Sequence, residues 1–314
     1  YANVSKAIGK VNVQAGLRVE RTESQGNSMT LDNTVKRSYT DLFPSLSLSH
    51  PIGENHTLSY SYSRRLNRPN YKDLNPFIEY LDQYTFQKGN PFLNPQYADA
   101  FGVNYGYKNK FFVSANYSHT SDAITEIIEQ VSEENQTFAT KVNLDKQKSA
   151  SLTVSTSIPW KEIGVSRINI TGFYNEFSSV IPSGILDNKN AAYNIYLGNE
   201  FNLPKDINME LNFRYTSDLT YGLFEIQSRH RIDVGFSKDI MQGKGSIKIG
   251  VDDIFQTNRN VGMIRQDDII VDLSSRWDSR RAKINFKYKF GNNKVKGARR
   301  RTTATEDESS RISN

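Results

Sequence analysis

Histidine is the first residue type in this chain to consider for metal chemistry. The four histidines are His50, His56, His119 and His230, and no two of them have the spacing of a metal-binding pair on a helix. His50 and His56 flank a turn, but two imidazoles without a third ligand do not make a zinc site. We therefore interpret these residues as solvated histidines at the rim of a sheet.

A group of carboxylates near the C-terminal end is a second candidate. It comprises Asp252-Asp253, Asp267-Asp268 and Asp272, which could gather around a hard cation because Ca²⁺ binds several oxygen ligands. Their spacing matches no EF-hand loop. The sequence favours an ordinary charged loop, so we predict no bound metal and no cofactor, with a cation in loop 257–275 as the open alternative.

Motifs for catalysis are absent from the sequence. Ser, Asp and His occur, but there is no Gly-x-Ser-x-Gly nucleophile elbow and no phosphate-binding Walker loop. The chain has no cysteine, which excludes thiol catalysis, disulfides and Cys-based zinc or iron–sulfur sites. We predict that the protein is not an enzyme.

The positive charges of the chain do not indicate nucleic-acid binding. The net charge is +6, but Lys and Arg are spread along the sequence, and much of the excess lies in the run from Lys294 to Arg301. A nucleic-acid-binding protein concentrates its basic residues on one surface. We predict no nucleic-acid partner.

The segments that carry these residues alternate with a period of two. The clearest is 283–290, whose polar face is Lys, Asn, Lys and Lys and whose apolar face is Ile284, Phe286, Tyr288 and Phe290. Successive side chains of a strand point to opposite faces, so this strand separates an apolar medium from water. We predict that its apolar residues face lipid.

Alternation and turn signals predict an all-β chain of about 13 strands. We place them at 1–8, 11–21, 39–50, 57–66, 97–107, 111–128, 139–158, 165–179, 189–203, 207–220, 226–240, 245–256 and 276–290. Short turns alternate along the chain with connections that are mostly longer. The second class lies at 22–38, 67–96, 129–138, 180–188, 221–225 and 257–275. This is the pattern of a transmembrane antiparallel up-and-down β-barrel, with periplasmic turns and extracellular loops.

A soluble β-sandwich would alternate too, but three features argue against it. Several strands exceed the ~5–6 residues usual in globular sheets, and a Greek-key sandwich has no reason to alternate loop lengths. Charges also stand at mid-strand, as expected for a water-filled or plugged lumen: Glu210, Arg214, Asp233, Lys248 and Lys287. No apolar run approaches the ~18 residues of a membrane helix, which excludes a helical membrane protein.

Two loop motifs and the C-terminal end resemble a known family. The first motif, Ser61 to Phe77, contains Arg68, Pro69, Leu74, Asn75 and Pro76. The second, Gly89 to Tyr97, contains Asn90, Pro91 and Pro95. With the ending from Arg276 to Gly291, they resemble the C-terminal β-barrel region of TonB-dependent outer-membrane receptors of the Bacteroidetes type. One departure is Gln96, where the family often has Glu.

The resemblance implies a barrel of 22 strands around a plug, and uptake of a large nutrient driven through TonB. Such a barrel needs about 530 residues at this strand spacing, so we expect residues 1–291 to be its C-terminal part and 292–314 a disordered periplasmic tail. Expected partners are outer-membrane lipid, the plug and remaining strands upstream, the TonB complex and a surface lipoprotein. The expected location is the Gram-negative outer membrane. The alternative is a self-contained smaller barrel acting as a diffusion porin or surface adhesin.

The long connection 67–96 is predicted to be an ordered extracellular loop. Its prolines remove backbone donors and bias the preceding residues away from helix, and Gly89-Asn90 permits a turn. Two interpretations stay open: the loop only folds over the rim, or its aromatic residues contact a ligand. Those aromatic residues are Tyr71, Phe77, Tyr80, Tyr84 and Phe86.

Overall fold

The computed structural model describes residues 1–28, 33–80, 85–131, 136–181, 184–221, 224–266 and 269–290. The expected tail, 292–314, lies outside this part of the chain. The protein is nearly all β, with 78% strand and 3% helix. No helix in the described ranges is long and apolar enough to span a membrane.

Nineteen strands follow one another in the described part of the chain. They are β1 (Ala2–Ile8), β2 (Val11–Ser28), β3 (Asn33–Ile52), β4 (His56–Asn67), β5 (Ile78–Tyr80), β6 (Thr85–Lys88), β7 (Gln96–Tyr107), β8 (Phe111–Val131), β9 (Gln136–Pro159), β10 (Gly164–Ile181), β11 (Gly184–Leu203), β12 (Ile207–Thr216), β13 (Leu219–Tyr221), β14 (Phe224–Ile226), β15 (Arg229–Ile240), β16 (Gly245–Asp252), β17 (Asn260–Gln266), β18 (Ile269–Ser275) and β19 (Arg281–Tyr288). A short helix, α1 (Tyr71–Leu74), precedes β5, and a 3-10 turn, Met241–Gly243, precedes β16.

Thirteen of these strands form one up-and-down antiparallel path. The path runs β1-β2-β3-β4-β7-β8-β9-β10-β11-β12-β15-β16-β19, and each predicted strand corresponds to one of its members, which confirms the predicted fold class. Short turns join the strands at one end, here called the turn end, and the opposite end, where the sequence predicted mostly longer connections, is called the loop end. Among the described residues no ladder joins β1 to β19, so the sheet is an open arc.

The apolar residues of neighbouring strands stand side by side on one face of this sheet. Tyr62 is opposite Phe101, and Phe101 is opposite Tyr117. Phe101 is 50% exposed and Tyr117 is 42% exposed. A β-sandwich seals the apolar rows of its sheets between two layers. The exposed aromatic row therefore contradicts the sandwich and fits a face that contacts lipid.

Strand bounds differ from the prediction mainly at the loop end. The connections predicted at 22–38, 129–138 and 180–188 are mostly strand, because the ladders continue through them. Backbone N–H and C=O groups need partners wherever they lie, so a ladder persists beyond the level where lipid imposes alternation. The predicted strands follow the alternation of apolar and polar residues, so their predicted ends lie where that alternation ends.

A second sheet, which the sequence did not predict, lies around the last two loop-end connections. The region predicted as loop 257–275 contains the hairpin β17–β18, and β17 pairs with β14 from the preceding connection. Together β13, β14, β17 and β18 form a four-stranded sheet, here called the loop sheet. Accordingly, the strands predicted to reach 220 and 256 end earlier, at Thr216 and Asp252, and the last begins at Arg281.

A buried apolar cluster holds the loop sheet against β8, β9 and β10. It consists of Ala123, Ile127, Leu144, Phe177 and Ile264, with Phe224 and Val271 of the loop sheet packed against it. Phe177 lies on the face of β10 that also carries Thr171 and Asn175, and Ala123 is opposite Leu144 across β8 and β9. This cluster is called the loop-sheet cluster below.

Candidate functional site

The two loop motifs found in the sequence fold together at the loop end. The Gly89 N–H donates to the Asn75 carbonyl at 2.9 Å, and the Asn90 N–H donates to the Asp73 carbonyl at 2.7 Å. A Cβ on Gly89 would lie 2.2 Å from the Asn75 oxygen. Glycine is therefore needed for this close approach, and the motifs form one unit, here called the motif loop (residues 68–95).

The motif loop is attached to the outer part of β9. Lys141 Nζ lies 2.8 Å from Asp73 Oδ1, and Asn90 Nδ2 donates to the Lys141 carbonyl at 3.0 Å. Asn94 and Asn143 exchange two hydrogen bonds of 2.8 and 3.0 Å. In addition, β6 pairs in parallel with β9. The loop thus has a defined position relative to the sheet.

Arg68 attaches the start of the motif loop to β2. Its guanidinium donates to Glu20 Oε2 and to Thr22 Oγ1, both at 2.9 Å. Burial acts to lower the pKa of Arg68, but hydrogen bonds to Glu20 and Tyr39 outweigh it and the pKa is raised. Pro69 and Pro95, at the two ends of the loop, are buried. These motif residues therefore have a positioning role.

The predicted aromatic residues fall into two groups. Tyr71, Phe77 and Tyr80 are exposed, with Tyr80 at 73%. Phe86 is only 5% exposed and stacks on Phe138 of β9, with ring centroids 5.1 Å apart. Tyr80 lies edge-on against the same Phe86 ring. Phe86 thus supports an exposed aromatic surface, while Tyr84 lies outside the described residues.

Two further residues of this surface were missed by sequence reasoning. Phe92 and Ile78 are large apolar residues of the motif loop, and their exposed fractions are 63% and 50%, respectively. Phe92 follows Asn90-Pro91, whose Asn90 side chain accepts from the Phe92 N–H at 2.9 Å. An aromatic residue directly after an Asn-Pro pair is the signal that could have identified it.

Gln96, which departs from the family pattern, still has a structural role. Its side-chain oxygen accepts a hydrogen bond of 2.8 Å from the Ile124 N–H. A glutamate oxygen could accept the same bond, because both side chains offer an acceptor at that position. The departure therefore leaves the attachment between β7 and β8 intact.

The mid-strand charges predicted for the lumen lie on the polar face and are largely paired. Lys248 Nζ is 2.6 Å from Glu210, and Arg231 is 2.7 Å from Asp233. Arg214 lies over the Tyr196 ring, 4.9 Å from its centroid. On β3 to β9, by contrast, the polar face carries mainly Ser, Thr, Asn and Gly. The polar face of the sheet thus has a neutral part and a charged part.

Two of the carboxylates considered for a cation, Asp252 and Asp253, have partners within the chain. Asp253 is fully buried and accepts hydrogen bonds from Ser279 Oγ at 2.6 Å, from the Asn258 N–H at 3.0 Å and from Thr257. Burial alone would raise its pKa, but these donors hold the pKa below its ordinary value. Asp252 is paired with Lys283. Asp267-Asp268 lie outside the description, and the described residues contain no group of three or more metal ligands.

The residues predicted to face lipid on the last strand are all exposed. They share the apolar face of β19 and continue beyond its end: Ile284, Phe286, Tyr288 and Phe290. The apolar face continues into β16, where Ile249 is opposite Ile284 and Ile247 is opposite Phe286.

The sequence matches the Outer membrane protein beta-barrel family over residues 1–288. The chain belongs to this family. Membership places it in the outer membrane and confirms the resemblance drawn from the two loop motifs and the chain ending. None of the curated protein sequences matches the chain.

Solved structures support the same barrel fold. The FrpB iron transporter from Neisseria meningitidis (F3-3 variant) is 14% identical, with a TM-score of 0.62 over 92% of this chain and 43% of that chain. The copper transporter OprC is 11% identical, with a TM-score of 0.66 over 91% of this chain and 46% of that chain. The Serratia marcescens hemophore receptor HasR, a double mutant in complex with HasA and heme, is 13% identical, with a TM-score of 0.57 over 92% and 50%.

This chain spans half or less of each of those three solved chains. At 11–14% identity, the similarity to these structures shows the fold but does not identify the ligand.

Proposed function

We propose that this chain forms the barrel wall of an outer-membrane receptor that takes up a large nutrient by TonB-dependent transport. Family membership supports an outer-membrane barrel, and the similar structures are named as iron and copper transporters and a hemophore receptor. The single observation that carries the proposal is the combination of this fold with a firmly attached loop that presents exposed aromatic residues.

The open arc supports a larger barrel. β1 and β19 each present one edge without a ladder partner in the described chain, and a bilayer does not tolerate unpaired backbone groups. We propose that further strands of the same protein complete a barrel of about 22 strands, the size of plugged transporters, and that a plug domain occupies its lumen. The short turns then face the periplasm, as does the tail 292–314.

Ligand contact is proposed for the exposed face of the motif loop. Tyr71, Phe77 and Tyr80 present aromatic rings beside polar groups, which is the composition of many binding surfaces. Tyr84 belongs to the same segment of sequence. The surface lies at the loop end, where a nutrient or a surface lipoprotein that delivers it would arrive from outside the cell.

The test is uptake by the complete receptor in cells. Uptake should stop when TonB is deleted or the proton gradient is collapsed, and Tyr80→Ala combined with Phe77→Ala should lower ligand binding without changing the amount of receptor in the membrane. Energy-independent diffusion of small solutes would instead support a porin, and unchanged binding by the double variant would remove the ligand role of the loop.

A further inference from the structure

The apolar face of the main sheet is bounded towards the loop end by a continuous row of charged residues. Directly opposite residues of neighbouring antiparallel strands lie on the same face. One apolar row runs across β4 and β7 to β11 and consists of Tyr62, Phe101, Tyr117, Ala150, Tyr174 and Ala191. The next row towards the loop end, here called the charged row, consists of Arg64, Asp99, His119, Lys148, Glu176 and Lys189.

The charged row has the position of a membrane boundary. On its turn-end side the face exposes large apolar residues, such as Tyr117 at 42% and Leu152 at 51%. On β4, the segment from Arg64 to His56 spans about 26 Å of strand at ~3.3 Å per residue. At a strand tilt of ~40° this is about 20 Å of depth, comparable with the apolar band of ~25 Å in outer-membrane barrels. The charged row therefore lies at the level of the lipid headgroups.

The carboxylates on this face have partners within the chain. Three ion pairs are Arg64–Asp99 at 3.7 Å, Lys148–Glu176 at 3.3 Å and Lys189–Asp187, whose aspartate belongs to the next row, at 3.4 Å. Asp99 also accepts a hydrogen bond of 2.8 Å from the Tyr62 hydroxyl. Each of these carboxylates is thus matched by a basic residue.

Lys146 is a further lysine of this face, and it is not matched in this way. It lies two residues from Lys148 on β9, in the same row as Asp187, and it is exposed. Among the residues that the structure describes, no carboxylate oxygen is recorded within ion-pair distance of its Nζ. Directly opposite Lys146 are two hydroxyl residues, Ser121 on β8 and Ser178 on β10. A positive charge that the described chain does not balance therefore stands between two hydroxyl groups at the headgroup level.

We propose that Lys146, Lys148, Ser121 and Ser178 bind the phosphate of an anionic lipid headgroup. Phosphate oxygens accept charge-assisted hydrogen bonds from ammonium groups. Lys148 has three N–H donors, so its pair with Glu176 leaves donors for a phosphate. The acyl chains would extend along the exposed apolar face towards Leu152. A lipid fits better than free phosphate, because the site adjoins the face that contacts the hydrocarbon chains.

This site goes beyond the proposed uptake function. It depends on the outer-membrane barrel, and binding requires neither a nutrient nor TonB. The proposed orientation, with the loop end outside the cell, would place the bound lipid in the outer leaflet.

The test uses the complete receptor in phosphatidylcholine nanodiscs, with Ala150→Cys labelled by a fluorophore as a local reporter. Brominated phosphatidic acid should quench this fluorophore more strongly than brominated phosphatidylcholine at the same mole fraction. Lys146→Gln should lower the relative affinity for phosphatidic acid about fivefold, the effect of one lysine near a membrane surface. Inorganic phosphate at constant ionic strength should not displace the lipid, and displacement would contradict a lipid site.

The matched control is Lys287→Gln. Lys287 is an exposed lysine on the polar face of β19, so its replacement should leave quenching at position 150 unchanged. A second reporter at Ile249→Cys, on the apolar face of β16, should be quenched equally by both lipids and should not respond to Lys146→Gln. Recovery of the heat-modifiable form shows that each variant is folded. Equal quenching by both lipids at position 150 in the folded receptor, or equal losses from Lys146→Gln and Lys287→Gln, would overturn the proposal.

Discussion

The strands of the main sheet meet two different surroundings along their length. Near the turn end, β8 exposes Tyr117 on the apolar face, at 42%. Towards the loop end of the same strand, Ala123 is 2% exposed and belongs to the loop-sheet cluster. Asp122, between them, has a φ of 54° and no ladder partner. The alternation of apolar and polar side chains therefore depends on the medium around a strand, whereas the backbone hydrogen-bond ladder continues through both zones.

The largest expected effect separates the two zones within β9. Leu144 is fully buried in the loop-sheet cluster, whereas Leu152 is 51% exposed on the apolar face. Leu144→Ala leaves a cavity and should cost about 2–5 kcal/mol of local stability. Leu152→Ala should cost less, because lipid chains are as apolar as leucine and can fill the space.

Hydrogen exchange of residues 260–266 checks this pair. Leu144→Ala should speed exchange there about 30-fold or more, since each 1.4 kcal/mol corresponds to a factor of ten. Leu152→Ala should leave those amides nearly unchanged. Equal acceleration by both variants would show that the two zones do not differ.

The second expected effect tests the membrane zone alone. Val103 lies on the apolar face opposite Tyr60, and Asn104 lies next to it on the polar face. Val103→Lys places a charge in lipid and should cost about 2–4 kcal/mol near the midplane, while a lumen-side lysine is tolerated. The amount of heat-modifiable receptor recovered in outer membranes should fall for Val103→Lys and stay unchanged for Asn104→Lys. The opposite result would reverse the assignment of the faces.

A third effect tests the loop zone alone. Gly89→Ala places a methyl group against the Asn75 carbonyl and should destabilise the motif loop by roughly 3 kcal/mol, the upper end of overpacking costs. Gly26→Ala is the control, because a Cβ there meets nothing within 4 Å. Protease cleavage of the motif loop in the complete receptor should accelerate in the first variant and not in the second. Similar cleavage rates would remove the packing role assigned to Gly89.

The smallest expected effect concerns pH at Asp253. Its pKa is held below the ordinary value in the folded protein, so its contribution is present above the unfolded pKa of about 3.9 and is lost as the pH falls through the folded value. Ser279→Ala removes one donor and should cost about 1.5 kcal/mol. The protection factors of the Thr257 and Asn258 amides, in which the intrinsic effect of pH on exchange is divided out, should fall in acid and in this variant, and Ser274→Ala should leave them unchanged. Protection factors that are independent of acid would contradict the role of Asp253.

Much of the fold could be predicted because lipid imposes a readable pattern. The thirteen strands of the main path were located by alternation, and Gly89-Asn90-Pro91 marked the motif loop by known backbone chemistry. The loop sheet could not be predicted in this way. Its strand β14 has only three residues, Phe224–Ile226, and its pairing with β17 joins two separate connections.

The candidate site was only partly readable for a related reason. Tyr80 and Phe86 are both aromatic residues of one segment, yet one is exposed and the other is buried. What separates them is contact with Phe138 of β9, a residue distant in sequence. When a partner distant in sequence buries a residue, the neighbouring sequence gives no sign of it. The lipid-facing residues, by contrast, can be predicted from the local alternation alone.

The central claim is that alternate residues of each strand face lipid and the others face the lumen. Because the chain has no cysteine, single cysteines at positions 58 to 63 of β4 can be spin-labelled one at a time in the complete receptor in a bilayer. Labels at 58, 60 and 62 should be relaxed by oxygen dissolved in lipid, and labels at 59, 61 and 63 should not. Oxygen accessibility without this alternation would contradict the account.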